Sequence, residues 1–180
     1  GLGVVSEGKG STYVEGNQMP VPLQMGTLSK AIGGYGGYLC ASQPVIDFIR
    51  TRARSFIYTT GLPPATLAAA IASLDLIAND KELVAKPMRH AQLFADALGL
   101  PEPESCIVPV ILGGAEKSLQ AGAALENEGF IVTPIRPPTV AEGTSRLRVT
   151  FTAEHAEADI LRLAKAVRPF LPQEPINQFS

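Results

Sequence analysis

The chain of 180 residues has 46% hydrophobic and 18% charged residues, which supplies a core and excludes a disordered chain. Its net charge of −2, without a basic block, excludes the electrostatic footprint of a nucleic-acid binder. The longest apolar stretch, Leu67 to Ala78, is broken by Ser73 and Asp75 and is too short to span a membrane.

In chain order, the opening Gly1-Leu2-Gly3-Val4-Val5 shows neither an initiator Met nor a signal core and reads as an internal start. Glycine, proline and polar residues then predict loop up to Pro22, with one short strand. Leu23 to Leu28 predicts a strand that leads into Ser29-Lys30, and Tyr38 to Ala41 predicts another. Val45, Phe48, Ile49 and Arg52 recur at helical spacing, so a helix is expected over Val45 to Arg54. Phe56 to Thr59 reads as a short β-rich run. Pro63-Pro64 then opens a helix over Ala65 to Ala78.

A second helix is expected from Lys81 to Leu98, with Asp80 as N-cap, Gly99 as C-cap and a kink or break at Pro87. After a linker from Pro101 to Ser105 the pattern becomes strand (Cys106–Leu112), helix (Ser118–Glu128), strand (Phe130–Thr133), strand (Arg146–Phe151) and helix (Glu154–Val167). This predicts a small α+β domain over 101–168 and an extended, proline-rich tail over 169–180.

The segment richest in chemical possibility is Gly26-Thr27-Leu28-Ser29-Lys30-Ala31-Ile32-Gly33-Gly34. Glycines leave room for backbone to approach a ligand closely. Burial there would disfavour the ammonium form of Lys30 and make the amine nucleophilic toward a carbonyl. In Arg146-Leu147-Arg148-Val149-Thr150-Phe151, strand alternation puts Leu147, Val149 and Phe151 on one face and the arginines with Thr150 on the other. Arg136 precedes a proline pair, which confines it to extended backbone.

Other signals are weaker. Gly3-Val4-Val5-Ser6-Glu7-Gly8-Lys9-Gly10 nearly matches a P-loop, but Gly10 stands where a Ser or Thr should ligate magnesium. A P-loop nucleotide-binding module and a non-catalytic association domain are the alternatives from other functional classes. His90 and His155 lack metal-ligand spacing and read as surface or cap residues, so no metal site is expected. Cys40 reads as a packed strand residue. With Cys106 it makes only two cysteines, too few for a disulfide framework, so a reducing, cytoplasmic setting is expected.

Thr27-Leu28-Ser29-Lys30-Ala31, Gly36-Gly37-Tyr38 and Phe56-Ile57-Tyr58-Thr59-Thr60-Gly61-Leu62-Pro63-Pro64, in this order, resemble the α-oxoamine synthase family. These are fold-type-I pyridoxal-phosphate acyltransferases that condense an amino acid with an acyl thioester and release carbon dioxide. The resemblance runs from Gly1 to about Val167. It implies an α/β fold: the end of a large cofactor-binding domain (residues 1–80), a connecting helix (81–100) and the small C-terminal domain. It also implies that Lys30 holds pyridoxal 5'-phosphate as a Schiff base and that Thr27 contacts its phosphate. Thr59 and Thr60 would reach the phosphate of the partner subunit's cofactor in a homodimer with a shared active site.

Ile135-Arg136-Pro137-Pro138-Thr139-Val140 resembles the biotin-pathway branch, which joins L-alanine to a pimeloyl thioester of CoA or an acyl carrier protein. A relative using glycine or another acyl thioester is the runner-up. By the same resemblance Arg148 binds the amino-acid carboxylate and Arg136 an anionic part of the acyl substrate or product. The family places an aspartate for the pyridinium nitrogen, a histidine and a ring-stacking group ahead of the stretch matching Gly1-Leu2-Gly3. The expectation is therefore a chain that needs a preceding N-terminal half to complete its site.

Overall fold

The computed structural model describes residues 2–172. Residues 173–180 of the expected tail lie outside the described residues, as does Gly1. The chain divides into two compact units, Gly1–Val84 and Ala85–Ser180.

The first unit begins with a small hairpin of β1 (Tyr13–Val14) and β2 (Asn17–Gln18). Its two turn residues, Glu15 and Gly16, have φ of 49° and 82°, the left-handed pair that a tight two-residue turn requires. A longer antiparallel hairpin pairs β3 (Leu23–Thr27) with β4 (Gly37–Ala41), in register from Leu23↔Ala41 to Thr27↔Gly37. The loop between these strands carries Ser29 and Lys30. Three helices follow: α1 (Gln43–Arg52), α2 (Arg54–Ile57) and α3 (Pro64–Asn79). A small cluster of Leu28, Ile32 and Ala70, with Tyr38, Leu62 and Ile77 against it, packs the lysine loop onto α3.

Helix α2 departs from the strand expected over Phe56 to Thr59. Residues of that segment close local bonds instead, with the N–H groups of Phe56 and Ile57 both donating to Ala53 O at 2.9 Å. Aromatic and β-branched residues favour a strand only where a neighbouring strand offers a pleated surface. Among the described residues none pairs with this segment, and Phe56 and Tyr58 stay 57% and 78% exposed.

Helix α4 (Lys81–Leu98) starts as its caps predict. Asp80 Oδ1 accepts a bond from Leu83 N at 2.9 Å, and Gly99 closes the helix at a φ of +70°. The break expected at Pro87 does not occur, for the helix runs through it. Proline removes one intrahelical bond, but Pro87 lies on the buried stripe of Val84, Ala91, Phe94 and Leu98. Burial of that stripe offsets the lost bond.

The second unit is built on an antiparallel sheet in the order β5 (Ile107–Gly113), β7 (Ser145–Thr150), β6 (Thr133–Ile135). Helices α5 (Ala115–Asn127) and α6 (Glu157–Val167) complete it, followed by a 3-10 turn at Arg168–Phe170. The core joins Phe94 of α4 to Val108, Val110, Leu125, Leu147, Phe151 and Ile160. Phe94 and Phe151 meet with ring centroids 5.2 Å apart, a separation at which aromatic pairs add attraction beyond burial. Strand β6 begins at Thr133 rather than at Phe130. Gly129, at a φ of +88°, and the bond from Phe130 N to Leu125 O belong to the end of α5. The chain becomes strand only where it meets β7, at Thr133↔Arg148.

This packing predicts a contrast between two apolar residues of the second unit. Phe94 is fully buried and Ile131 is 94% exposed. In urea denaturation Phe94→Ala is expected to cost about 3–5 kcal/mol, whereas Ile131→Ser stays within about 0.5 kcal/mol of the parent. Equal effects at the two positions would contradict this assignment of the core.

Candidate functional site

Lys30 sits in the β3–β4 loop, and local bonds give that loop its shape. Leu28 N donates to Gly36 O at 2.9 Å, Gly34 N to Leu28 O at 2.7 Å, and Gly33 N to Lys30 O at 2.8 Å. Gly33 and Gly36 take φ of 69° and 100°, a region open to glycine at no steric cost. From α3, Ser73 Oγ donates to Ile32 O at 2.8 Å and fixes the far side of the loop. Leu28 and Ile32 are buried while Ser29 and Lys30 between them face outward. The lysine is thus exposed, not buried as its glycine-rich surroundings suggested.

Lys30 and Thr27 line one groove of about 590 Å³, together with Lys9, Ser11, Thr12 and Tyr38. Thr27 Oγ1 and Ser29 Oγ share a hydrogen bond at 2.7 Å, and Ser29 N donates to Thr27 Oγ1 at 3.1 Å. The Thr27–Lys30 segment therefore carries two mutually bonded hydroxyls, and Thr27 shares its groove with the Lys30 amine. Sequence reasoning missed Ser29. The alternation Thr-Leu-Ser-Lys was its signal, since the one apolar residue there turns inward.

Lys9 lies with Nζ 3.9 Å from the Tyr13 ring centroid, and its ammonium is held above the usual lysine range, chiefly by its bond with Tyr13. Gly26 leaves room for its cross-strand neighbour. The Tyr38 ring lies over it so closely that an added Cβ would fall 2.3 Å from Tyr38 Cζ.

The remaining predicted residues are dispersed. Thr59 and Thr60 are exposed after α2 and do not line the lysine groove. Thr59 Oγ1 donates to Ser55 O at 2.6 Å. In the second unit, β7 alternates as expected: Ser145, Leu147 and Val149 are buried, Arg148 and Thr150 exposed. Arg146 is half-buried, and its Nε donates to Thr144 O at 2.9 Å. Arg148 lines a groove of about 540 Å³ with Phe130, Thr133, Thr150, His155 and Arg162. Arg136 is exposed, outside that groove, at the start of a turn closed by Thr139 N donating to its carbonyl at 3.0 Å.

Two other expectations need correction, and the P-loop alternative falls. Gly3 to Gly10 does not form a P-loop. It folds back on itself, with Gly3 N donating to Gly8 O at 2.8 Å and Leu2 bridged to Lys9, and it leads into β1 rather than a helix. It therefore lacks the helix N-terminus that holds a phosphate in a P-loop. Cys40 is exposed, not packed, because no other described element covers its side chain on β4. His90 is buried rather than on the surface and bonds to Thr152 O. Among the described residues there is no group of side chains able to hold a metal ion, and no helix is long and apolar enough to cross a membrane.

Residues 5–167 match the aminotransferase class I and II family. The chain belongs to that family. An 8-amino-7-oxononanoate synthase of Beijerinckia indica subsp. indica is 59% identical over 172 residues, which is 96% of this chain and 45% of the relative. The chain thus spans about half the length of the curated relatives it matches. Among solved structures, serine palmitoyltransferase from S. paucimobilis with a bound PLP–myriocin aldimine superimposes with a TM-score of 0.80 at 27% identity. That match covers 93% of this chain and 44% of the other. An 8-amino-7-oxononanoate synthase from Francisella tularensis matches with a TM-score of 0.78 at 24% identity, over 93% of this chain and 51% of that one. The resemblance to α-oxoamine synthases and to the α/β fold of fold-type-I transferases is borne out.

The contact between Gly26 and Tyr38 is directly testable. Gly26→Ala is expected to destabilise the aminotransferase-family chain by about 1–3 kcal/mol, as overpacking does. Tyr38→Ala in the same molecule should recover most of that loss, as coupling between neighbours requires. Thermal denaturation of the two single variants and the double variant measures it, and strictly additive losses would refute the close approach.

Proposed function

We propose that this chain supplies the lysine and substrate-arginine part of a pyridoxal 5'-phosphate enzyme that joins L-alanine to a pimeloyl thioester. The products are carbon dioxide, the free thiol and 8-amino-7-oxononanoate. The observation that carries the reading is the placement of Lys30 and Thr27 on one groove, with Ser29 bonded to Thr27, in a chain 59% identical to an 8-amino-7-oxononanoate synthase. The donor set fits the cofactor. A primary amine suits its aldehyde, and paired hydroxyls beside a glycine-lined loop suit its phosphate. When bound, the cofactor supplies an electron sink for charge developing at the amino-acid α-carbon.

The protein's own groups have separate tasks. Lys30 Nζ would hold the cofactor through its aldehyde and, when free, would serve as the general base for the α-proton. Thr27 Oγ1 donates to the phosphate, with Ser29 holding the threonine hydroxyl in place. Thr59 and Thr60 serve the phosphate of a second subunit in a homodimer. Arg148 pairs with the alanine carboxylate through two charge-assisted bonds. Arg136 meets the anionic part of the acyl substrate, on a segment that Pro137 and Pro138 stiffen.

Borohydride reduction of the intact enzyme with pyridoxal phosphate, followed by peptide mapping, should label Lys30. A label on Lys9, Lys81 or Lys86 instead would overturn the lysine assignment. Alanine with a pimeloyl thioester should outperform glycine with acetyl or succinyl thioesters in steady-state assays. The reverse order would exchange this reading for a glycine-using relative. Arg148→Ala should weaken alanine recognition, and Arg136→Ala acyl-substrate recognition, each by about ten- to a hundredfold. Separate KM values for the two substrates distinguish these effects.

A further inference from the structure

The middle of β7 lies between two strands, whereas its end is paired by β5 alone, as Val108↔Val149 and Ile107↔Thr150. Arg148 stands between Pro109 of β5 and Thr133, the first residue of β6. Past Arg148, the register of β6 offers no partner to Val149 or Thr150. On the β5 side, Phe151 N donates to Cys106 O at 2.8 Å and extends the contact by one bond.

The next residue is held by two imidazoles. His90 of α4, only 7% exposed, has Nδ1 2.8 Å from Thr152 O. A carbonyl only accepts, so this nitrogen carries the proton and donates. On the other side of the same residue, Thr152 N donates to Nδ1 of His155 at 3.2 Å. Both backbone groups of Thr152 are thus tied to histidine side chains, one before the sheet in sequence and one just after it. His155 stacks edge-on against Phe151, with centroids 6.1 Å apart, and lines the same groove as Arg148 and Thr150.

We infer that His90 and His155 are positioning residues for Arg148. They fix Thr152, just past the last bond of β7 to β5, and so hold the guanidinium at the height its partner carboxylate requires. Two-bond recognition of a carboxylate tolerates an error of only about 0.5 Å. A strand end free to fray would exceed that tolerance. The inference rests on the reading of Arg148 as the alanine-carboxylate arginine, and it adds residues that do not themselves touch the substrate.

The test uses the intact, cofactor-loaded enzyme carrying His90→Leu or His155→Ala, beside the conservative His90→Asn and His155→Asn. An asparagine amide can donate in place of His90 Nδ1, and an asparagine carbonyl can accept in place of His155 Nδ1. The expected result is a rise in KM for L-alanine of about three- to tenfold in the Leu and Ala variants. Their kcat and thioester KM should stay within about twofold of the parent, and both Asn variants should recover most of the loss. Independently of activity, hydrogen exchange should speed up at the Thr152 amide in His155→Ala and slow again in His155→Asn. Because His155 is exposed, its variants keep the test decisive even where His90→Leu fails to fold.

Arg148→Ala is run in parallel. If it raises the alanine KM while folded histidine variants leave it unchanged, the positioning role is overturned and the arginine reading stands. If Arg148→Ala itself leaves the alanine KM unchanged, the arginine reading falls and takes the inference with it. Loss of kcat in proportion to lost thermal stability, without a selective change in alanine KM, overturns the positioning role.

Discussion

Leu147 is fully removed from water, Val149 nearly so, and Arg148 between them is exposed. That alternation follows from the two-residue period of a strand, and much else in the second unit depends on it. The inward residues close the core against Phe94, Leu125 and Ile160. Each such side chain contributes on the order of 1.5–3 kcal/mol on burial. A one-residue slip of β7 would turn both buried residues into solvent and drive Arg148 into the core. Core and candidate substrate arginine are therefore set by one register, and the stability of the core enforces the placement of the charge.

The first unit solves a related problem with less apolar material. Its lysine lies on a loop, where backbone groups have no ladder to satisfy them. Four bonds close the loop from within and from Ser73 of α3, and two buried side chains, Leu28 and Ile32, pin it beneath. The residues proposed for chemistry are the outward ones of the same short segment. Rigid support under an outward-facing amine suits the proposed tasks of carrying a cofactor and acting as a base, because both require a defined position.

The two charged groups favoured for chemistry are thus placed by the same device, apolar neighbours that point the other way. Lys30 has Leu28 and Ile32, and Arg148 has Leu147 and Val149. Thr59, Thr60 and Arg136 lack such support among the described residues, and all three are exposed. The roles proposed for them are roles toward molecules that approach from outside this chain.

Much was legible in the sequence where the deciding force is local. Asp80 and Gly99 bracket α4 because a carboxylate cap and a left-handed glycine act within one turn. The alternation of β7 and the glycine-rich setting of Lys30 could be read in the same way, since periodicity and backbone freedom belong to the residues themselves. Family likeness, and with it the α/β fold, was carried by three short blocks in order.

Tertiary structure decided what depends on partners distant in sequence. Phe56 to Tyr58 have strand chemistry but no strand to pair with, so they close a helical turn. Pro87 stays inside a helix because the stripe it shares is buried. His90 became an interior donor because Thr152, far along the chain, presents a carbonyl to it. Gly26 leaves space that Tyr38 fills from the opposite strand, so a larger residue there would have to displace that ring. Local sequence sets the preferences of each segment, and only the meeting of segments determines which polar groups are satisfied and which side chains lose their water.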